Sequence, residues 1–98
     1  MPAPDKRFRL RAEIEMHRKA ADAAKREMGR LALELAEAAA ASITMLLRVP
    51  QPVVKLARDF CEARATYLEE TMLAGQAVEA LADEERKAHM AARKEAAE

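Results

Sequence analysis

The sequence predicts an all-α protein, a long antiparallel two-helix hairpin of the coiled-coil type that assembles into a four-helix bundle. Three observations support this fold class. Of the 98 residues, 24 are alanine, and strong helix formers dominate the rest. Aromatic residues make up 3%, with two Gly and no Asn, so the strands and turns of a β-sandwich or barrel are not supplied. A heptad spacing precedes the strongest break, a proline-containing segment near the middle of the chain, and a broader apolar stripe follows it.

The first helix is predicted over about residues 5–47, with Asp5 as its N-cap after the prolines at positions 2 and 4. Apolar and small residues recur along it at alternating spacings of three and four, which is the seam of a coiled coil. One flank of the seam is basic and the other is acidic. The predicted seam comprises Leu10, Ile14, His17, Ala21, Ala24, Met28, Leu31, Leu35, Ala38, Ser42 and Met45.

A short loop over residues 48–51 is predicted to separate the helices. Pro50 disfavours helical backbone at the preceding Val49, and Pro52 suits the first turn of a new helix, where its missing N–H is not required. The second helix is predicted over about residues 52–96, and the short loop makes it the antiparallel neighbour of the first in one hairpin domain, 1–98. Its apolar stripe comprises Val53, Leu56, Phe60, Ala63, Tyr67, Ala74, Val78, Leu81 and Ala88, widened by Leu68 and Met72.

The charge distribution agrees with such a hairpin. The 17 basic and 17 acidic residues cancel, so no general attraction to nucleic acid or to a membrane is implied. Residues 1–30 carry a balance of +4 and residues 31–98 a balance of −4. In an antiparallel hairpin the basic start of the first helix lies beside the acidic residues at positions 79, 83, 84 and 85, which predicts pairing within the chain.

Localisation is predicted to be cytoplasmic. The single cysteine, Cys61, cannot form an internal disulfide, which is typical of a reducing compartment. The longest apolar stretch, residues 38–47, is about half the length that a membrane-spanning helix needs. No apolar segment follows the N-terminal charges, so a signal peptide is not expected.

A hairpin of two helices buries only the apolar seam along which the helices meet. The apolar residues outside that seam must be covered by another molecule. The sequence around the loop is nearly apolar on all sides, which favours burial. We therefore expect homo-oligomers, in first place a dimer, or contact with a hydrophobic target. The predicted interface residues are Leu31, Leu35, Ile43, Met45, Leu46, Leu47, Val53, Val54, Leu56, Phe60 and Tyr67.

Catalysis is not predicted. The only serine, Ser42, lies 25 residues from His17 on the same helix, about 37 Å away, so no base can activate it. Arg58 and Arg64 lie near Cys61 and could lower the pKa of its thiol, but a small packing residue is the favoured interpretation of this cysteine. The protein is therefore interpreted as a non-enzyme without a cofactor.

A metal site is a sharper hypothesis. Glu13 and His17 stand four residues apart, as do Glu85 and His89. If the hairpin turns near residue 51, the two pairs lie at one level and offer two carboxylates and two imidazoles. The favoured alternative is that they are ordinary surface pairs of a helix, with His17 a polar residue of the seam.

A nucleic-acid site is a further alternative. Arg7, Arg11, Arg18 and Lys25 share one face of the first helix at roughly heptad spacing, an arrangement that suits phosphate groups. The acidic run of the second helix favours internal neutralisation instead, so nucleic acid is not the expected partner.

One glycine interrupts the predicted interior of each helix. Gly29 and Gly75 are expected nearly opposite each other, where they would allow close approach of the backbones or a bend. Simple tolerance of glycine within a long helix is the equal alternative, at a cost of about 1 kcal/mol each relative to alanine.

The pattern from Glu27 to Leu81 resembles that of the phasins, small proteins that coat polyhydroxyalkanoate storage granules. The resemblance is carried by the segments 31–42, 49–60 and 63–70, in which an Ala-rich helix is joined through a proline-containing loop to a helix with a Leu-x-x-x-Phe segment at Leu56 and Phe60. It implies an amphipathic coat protein with apolar faces on the polymer. The alternatives are a dimeric adaptor that binds a partner protein through the hairpin tip, and the nucleic-acid-binding bundle.

Overall fold

The computed structural model describes residues 5–42 and 51–97, and these form two α-helices, α1 (Lys6–Ser42) and α2 (Gln51–Ala97). The all-α class and the antiparallel hairpin are confirmed, and the described residues include no strand. The chain divides into two compact units, each built from a segment of both helices. We call Met1–Lys19 with Glu70–Glu98 the terminal unit, and Ala20–Glu69 the central unit.

The start of α1 is capped as predicted. The backbone N–H of Arg7 donates to Oδ1 of Asp5 at 3.3 Å, and the N–H of Arg9 donates to the Asp5 carbonyl oxygen at 3.1 Å. These contacts satisfy N–H groups that the first turn of a helix otherwise leaves without a partner.

The prediction for the loop needs one correction. Gln51, predicted as the last loop residue, is the first residue of α2, and Pro52 then follows within the first turn. This is compatible with helix geometry because the first-turn N–H groups have no partner inside the helix. Residues 43–47 of the predicted first helix and 48–50 of the loop lie outside the described residues.

The seam of α1 is confirmed at every position whose side chain the structure describes. Leu10, Ile14, Ala21, Ala24 and Leu31 are buried, with Leu31 the most buried at 3% exposure. The remaining described seam positions are half-buried: His17, Met28, Leu35 and Ala38. Four of these nine residues are alanine or histidine at sites where leucine is common. This seam therefore buries less apolar surface than a leucine-rich seam would.

The seam of α2 departs from the prediction in its second half. After Tyr67 the positions at strict heptad spacing are all buried or half-buried, and they include two glutamates: Glu70, Ala74, Ala77, Leu81, Glu84 and Ala88. Leu73 and Ala80, each next to one of these positions, are half-buried as well. The predicted stripe residues Val78, Leu68 and Met72 are 40%, 48% and 55% exposed. The predicted stripe was assigned from apolar residues alone. The observed seam is set by helix geometry, and it includes carboxylates that have a partner on α1.

The register within the terminal unit also differs from the prediction. Position 17 of α1 faces position 70 of α2, and position 11 faces position 85. The prediction of a turn near residue 51 instead placed position 17 beside position 85. The partner of each of these two α1 residues therefore lies closer to the start of α2 than predicted.

Neither glycine marks a close approach. A Cβ atom added to Gly29 or to Gly75 would meet no atom within 4 Å outside its own helix backbone and its neighbours. Neither glycine has a positive φ. The prediction of close backbone contact at these positions is therefore wrong, and both are ordinary helix-interior residues.

Candidate functional site

A polar pair lies in the seam of the terminal unit. Nδ1 of His17 on α1 lies 2.5 Å from Oε2 of Glu70 on α2, and the two side chains are 17% and 23% exposed. Both occupy the same class of heptad position, one on each helix. A carboxylate is thereby removed from much of its water at a place where a leucine would pack, and the imidazole nitrogen is its partner.

Basic residues at the start of α1 are paired with acidic residues of α2, as the charge distribution predicted. Nζ of Lys6 lies 3.2 Å from Oε1 of Glu84, and Nη2 of Arg11 lies 3.3 Å from Oε1 of Glu85. Together with His17 and Glu70, they give three cross-helix pairs with the base on α1 and the acid on α2. Glutamate at position 84 accepts a second contact from Lys87 of its own helix at 3.5 Å.

These contacts change how carboxyl groups titrate. The hydrogen bond from Lys6 is the main cause that lowers the pKa of Glu84 below its ordinary value. The hydrogen bonds from Arg7 lower the pKa of Asp5, and the hydrogen bond from Arg30 lowers the pKa of Glu27. The hydrogen bonds that Arg30 donates to Glu27 and Glu34 raise the pKa of Arg30.

The predicted nucleic-acid face is partly engaged within the chain. Arg7 binds Asp5 through Nε at 3.0 Å, and Arg11 binds Glu85. Arg18 and Lys25 are exposed, and within residues 5–42 and 51–97 no ion pair involves either of them. Two of the four predicted phosphate-binding residues therefore already have carboxylate partners.

The four residues of the metal hypothesis do not come together. His17 contacts Glu70, and Glu85 contacts Arg11, while Glu13 and His89 are exposed. In the described part of the chain, no group of three or more His, Cys, Asp or Glu side chains is arranged to hold a metal ion. The physical reason is the register, which moves position 85 away from position 17.

The predicted interface residues have different degrees of burial. Leu31 is buried at 3% exposure within the central unit, and Val54 is 38% exposed. Half-buried residues are Leu35, Val53, Leu56, Phe60 and Tyr67. Ile43, Met45, Leu46 and Leu47 lie outside the described residues, so the apolar tip is described only on its α2 side.

Large apolar side chains are exposed on both helices. In the described residues, eight of them have exposures between 38% and 69%: Phe8, Met16, Leu33, Val54, Leu68, Met72, Val78 and Met90. No large side chain in the same part of the chain is fully buried. Over residues 5–42 and 51–97 the chain therefore presents more large apolar side chains to solvent than it buries.

An open groove runs between the two helices of the terminal unit. Ile14 from α1 and Val78 and Leu81 from α2 give it an apolar floor, and Arg11 and Arg18 stand on the α1 side. Ile14 is 8% exposed and Val78 is 40% exposed, so the floor is accessible at one edge. The groove combines an apolar surface with guanidinium groups, which suits an acidic, partly apolar ligand.

Sequence reasoning missed two features of α2. The seam glutamates Glu70 and Glu84 were passed over for being charged, although an unbroken count of three and four from Tyr67 finds both. Cys61 is exposed, so its interpretation as a packing residue is wrong. It occupies a heptad position outside the seam, a signal that was available in the sequence.

Comparisons of the chain with protein families, with curated proteins and with solved structures find no match. Over residues 5–42 and 51–97, neither helix has the length of apolar sequence that crossing a bilayer requires.

Proposed function

We propose that this chain is a non-catalytic structural protein whose hairpin binds apolar surfaces, in first place a second copy of itself. The observation that carries the proposal is the imbalance of burial. Eight large apolar side chains are at least 38% exposed in the described residues, while the buried residues are Leu10, Ile14, Leu31 and four alanines. Exposed apolar surface is commonly covered by association with a protein or membrane partner.

The amount of buried surface supports the same proposal. Alanine contributes little area to a core, and burial stabilises by about 25 cal/mol per Å² of apolar surface. Chains of this length bury a small share of their surface and commonly gain stability by oligomerisation. A second hairpin laid on the first converts two exposed faces into one core.

Sedimentation equilibrium tests self-association. A dimer or larger assembly at micromolar concentration is the expected result, and it should dissociate on dilution. A strict monomer up to about 1 mM would contradict self-association as the function, since physiological assembly needs tighter binding.

For the hydrophobic target, the resemblance to phasins favours the surface of a storage polymer in the cytoplasm. The α2 side of the tip carries Val53, Val54 and Leu56, and Val54 is the most exposed of these. Val54→Asp should reduce partitioning of the purified protein onto polyhydroxybutyrate particles. The matched control is Lys55→Asp, which adds a carboxylate at the neighbouring exposed position. Equal partitioning of both variants would contradict a polymer contact through this face.

The nucleic-acid alternative gains less support, since Arg7 and Arg11 are paired with Asp5 and Glu85. Salt-sensitive binding of RNA or DNA that is lost in Arg18→Ala with Lys25→Ala would favour it over the structural function.

A further inference from the structure

The groove of the terminal unit has a charge pattern that selects its occupant. Its floor is formed by Ile14, Val78 and Leu81, and its two arginines stand seven residues apart on α1, about 10.5 Å along the helix axis. Arg18 has no ion pair among the described residues, and the pair of Arg11 with Glu85 is exposed on both sides. Such an exposed pair is weak and can exchange partners.

A helix that fits this groove needs two carboxylates with the same spacing on one flank and an apolar side chain beside them that reaches the floor. The segment Glu62–Glu69 of α2 has this pattern. Glu62 and Glu69 are exposed, stand seven residues apart, and form no ion pair within the described part of the chain. Leu68 is 48% exposed, and the exposed Ala65 between the two carboxylates allows close approach of another helix.

A second stretch of the chain has the same spacing but a different character. Glu15 and Asp22 are also seven residues apart, yet Glu15 binds Lys19, which lies between them, at 3.1 Å. Docking of this stretch would bring Lys19 close to the two arginines of the groove, and the like charges would repel each other. The segment Glu62–Glu69 contains one basic residue, Arg64, which is not on the same face as the two glutamates.

We infer that the groove of the terminal unit receives the segment Glu62–Glu69 of a second copy of this chain. Leu68 of the second copy packs on Ile14, Val78 and Leu81. Its Glu69 binds Arg18, and its Glu62 binds Arg11. In a two-fold dimer each copy supplies one groove and one segment, so the contact is made twice. This inference rests on the proposed self-association and names the surfaces that carry it.

Charge reversal with rescue tests the inference by sedimentation equilibrium on the full chain. Arg18→Glu and Glu69→Arg should each weaken dimerisation about tenfold, because each change replaces an attraction by a repulsion in both copies of the contact. The double variant, with the charges exchanged, should return to within about threefold of the original dissociation constant. Lys19→Glu is the matched control, since it makes the same charge change on the neighbouring exposed residue and should alter the constant little.

Leucine variants test the apolar part of the contact. Leu68→Asp should abolish the dimer at micromolar concentration, whereas Leu33→Asp, at a leucine of 63% exposure on α1, should not. Far-UV circular dichroism checks that each variant keeps its helix content.

The possible outcomes separate the two proposals. A dimer that none of Arg18→Glu, Glu69→Arg and Leu68→Asp weakens overturns this inference and leaves self-association intact. Singles that weaken the dimer without rescue in the double variant also overturn it, because the two residues then do not meet. A chain that stays monomeric before any substitution overturns the proposed self-association itself.

Discussion

Three residues of α1 form polar contacts across the terminal unit: Lys6, Arg11 and His17 each meet a glutamate on α2. The pair of Arg11 with Glu85 is exposed on both sides, and in the pair of Lys6 with Glu84 the lysine is exposed, so both pairs contribute little to stability. The third, His17 with Glu70, is mostly removed from water, where loss of one partner leaves the other poorly solvated. The contact between His17 and Glu70 is therefore the one of the three that favours this register of the two helices.

A double-mutant cycle measures that contact. His17→Leu should destabilise the protein by about 1 kcal/mol, because the carboxylate of Glu70 then lacks its partner in a half-buried site. The double variant His17→Leu with Glu70→Leu should be at least as stable as the original chain, since well-packed apolar residues replace polar pairs without loss. Urea unfolding followed by circular dichroism gives both values.

The exposed pair Glu15 and Lys19 is the control for this cycle, and its removal should change the free energy of unfolding by about 0.3–0.5 kcal/mol. If the double leucine variant were as unstable as His17→Leu alone, the role assigned to the unpaired carboxylate would be wrong.

The lowered pKa of Glu84 predicts a dependence of stability on acid pH. Its pKa is lower in the folded chain than in the unfolded chain, chiefly because Lys6 donates a hydrogen bond to it. The resulting stabilisation is complete above the ordinary glutamate pKa of about 4.3 and is lost as the pH falls through the lowered value. Lys6→Gln should therefore move the titration of the Glu84 carboxyl to higher pH.

Carbon-13 NMR of the glutamate side chains checks this shift directly. Glu27, whose pKa is lowered by Arg30, should titrate unchanged in the Lys6 variant and serves as an internal control. An unchanged titration of Glu84 in that variant would show that Lys6 is not its partner in solution.

At the scale of the elements, α1 and α2 have different relations to the seam. The seam of α1 consists of apolar and small residues apart from His17, whereas that of α2 includes two glutamates. Each helix also contains one glycine in its interior, with open space around its Cα. Glycine raises the conformational entropy of the unfolded chain and stabilises nothing at these two positions.

Gly29→Ala and Gly75→Ala should each stabilise the protein by about 0.5–1 kcal/mol. Both backbones are already helical, and apart from its chain neighbours and its own helix backbone an added Cβ meets no atom within 4 Å. Thermal unfolding at a fixed protein concentration measures the effect. The reverse change, Ala12→Gly at an exposed position of α1, should destabilise by a similar amount.

A loss of stability in either glycine variant would contradict the open space that surrounds these positions. Such a result would mean that another atom approaches the Cα in solution.

At the scale of the whole molecule, the balance between buried and exposed apolar residues has the largest effect on stability. Among the described residues the most buried large side chain is Leu31, and the other buried residues are mainly alanine. If association completes the core, folding and association are linked by mass action. The temperature of half-unfolding should then rise by about 5 °C when protein concentration is raised from micromolar to hundreds of micromolar.

Circular dichroism melts across that range provide the measurement. Leu68→Asp is the matched variant, and its midpoint should depend much less on concentration. A midpoint independent of concentration in the original chain would mean that the monomer is the stable unit.

The sequence by itself determined both helices, the Asp5 cap, the seam of α1 and the pairing of basic α1 with acidic α2. Each of these depends on local helix geometry or on the sum of charges over a segment, which are readable along one chain. The tertiary structure alone decided that position 17 meets position 70 and that position 11 meets position 85. A heptad pattern repeats every seven residues, so it stays satisfied when one helix slides along the other. Only contacts between particular side chains on both helices choose among those registers, and that choice also creates the groove.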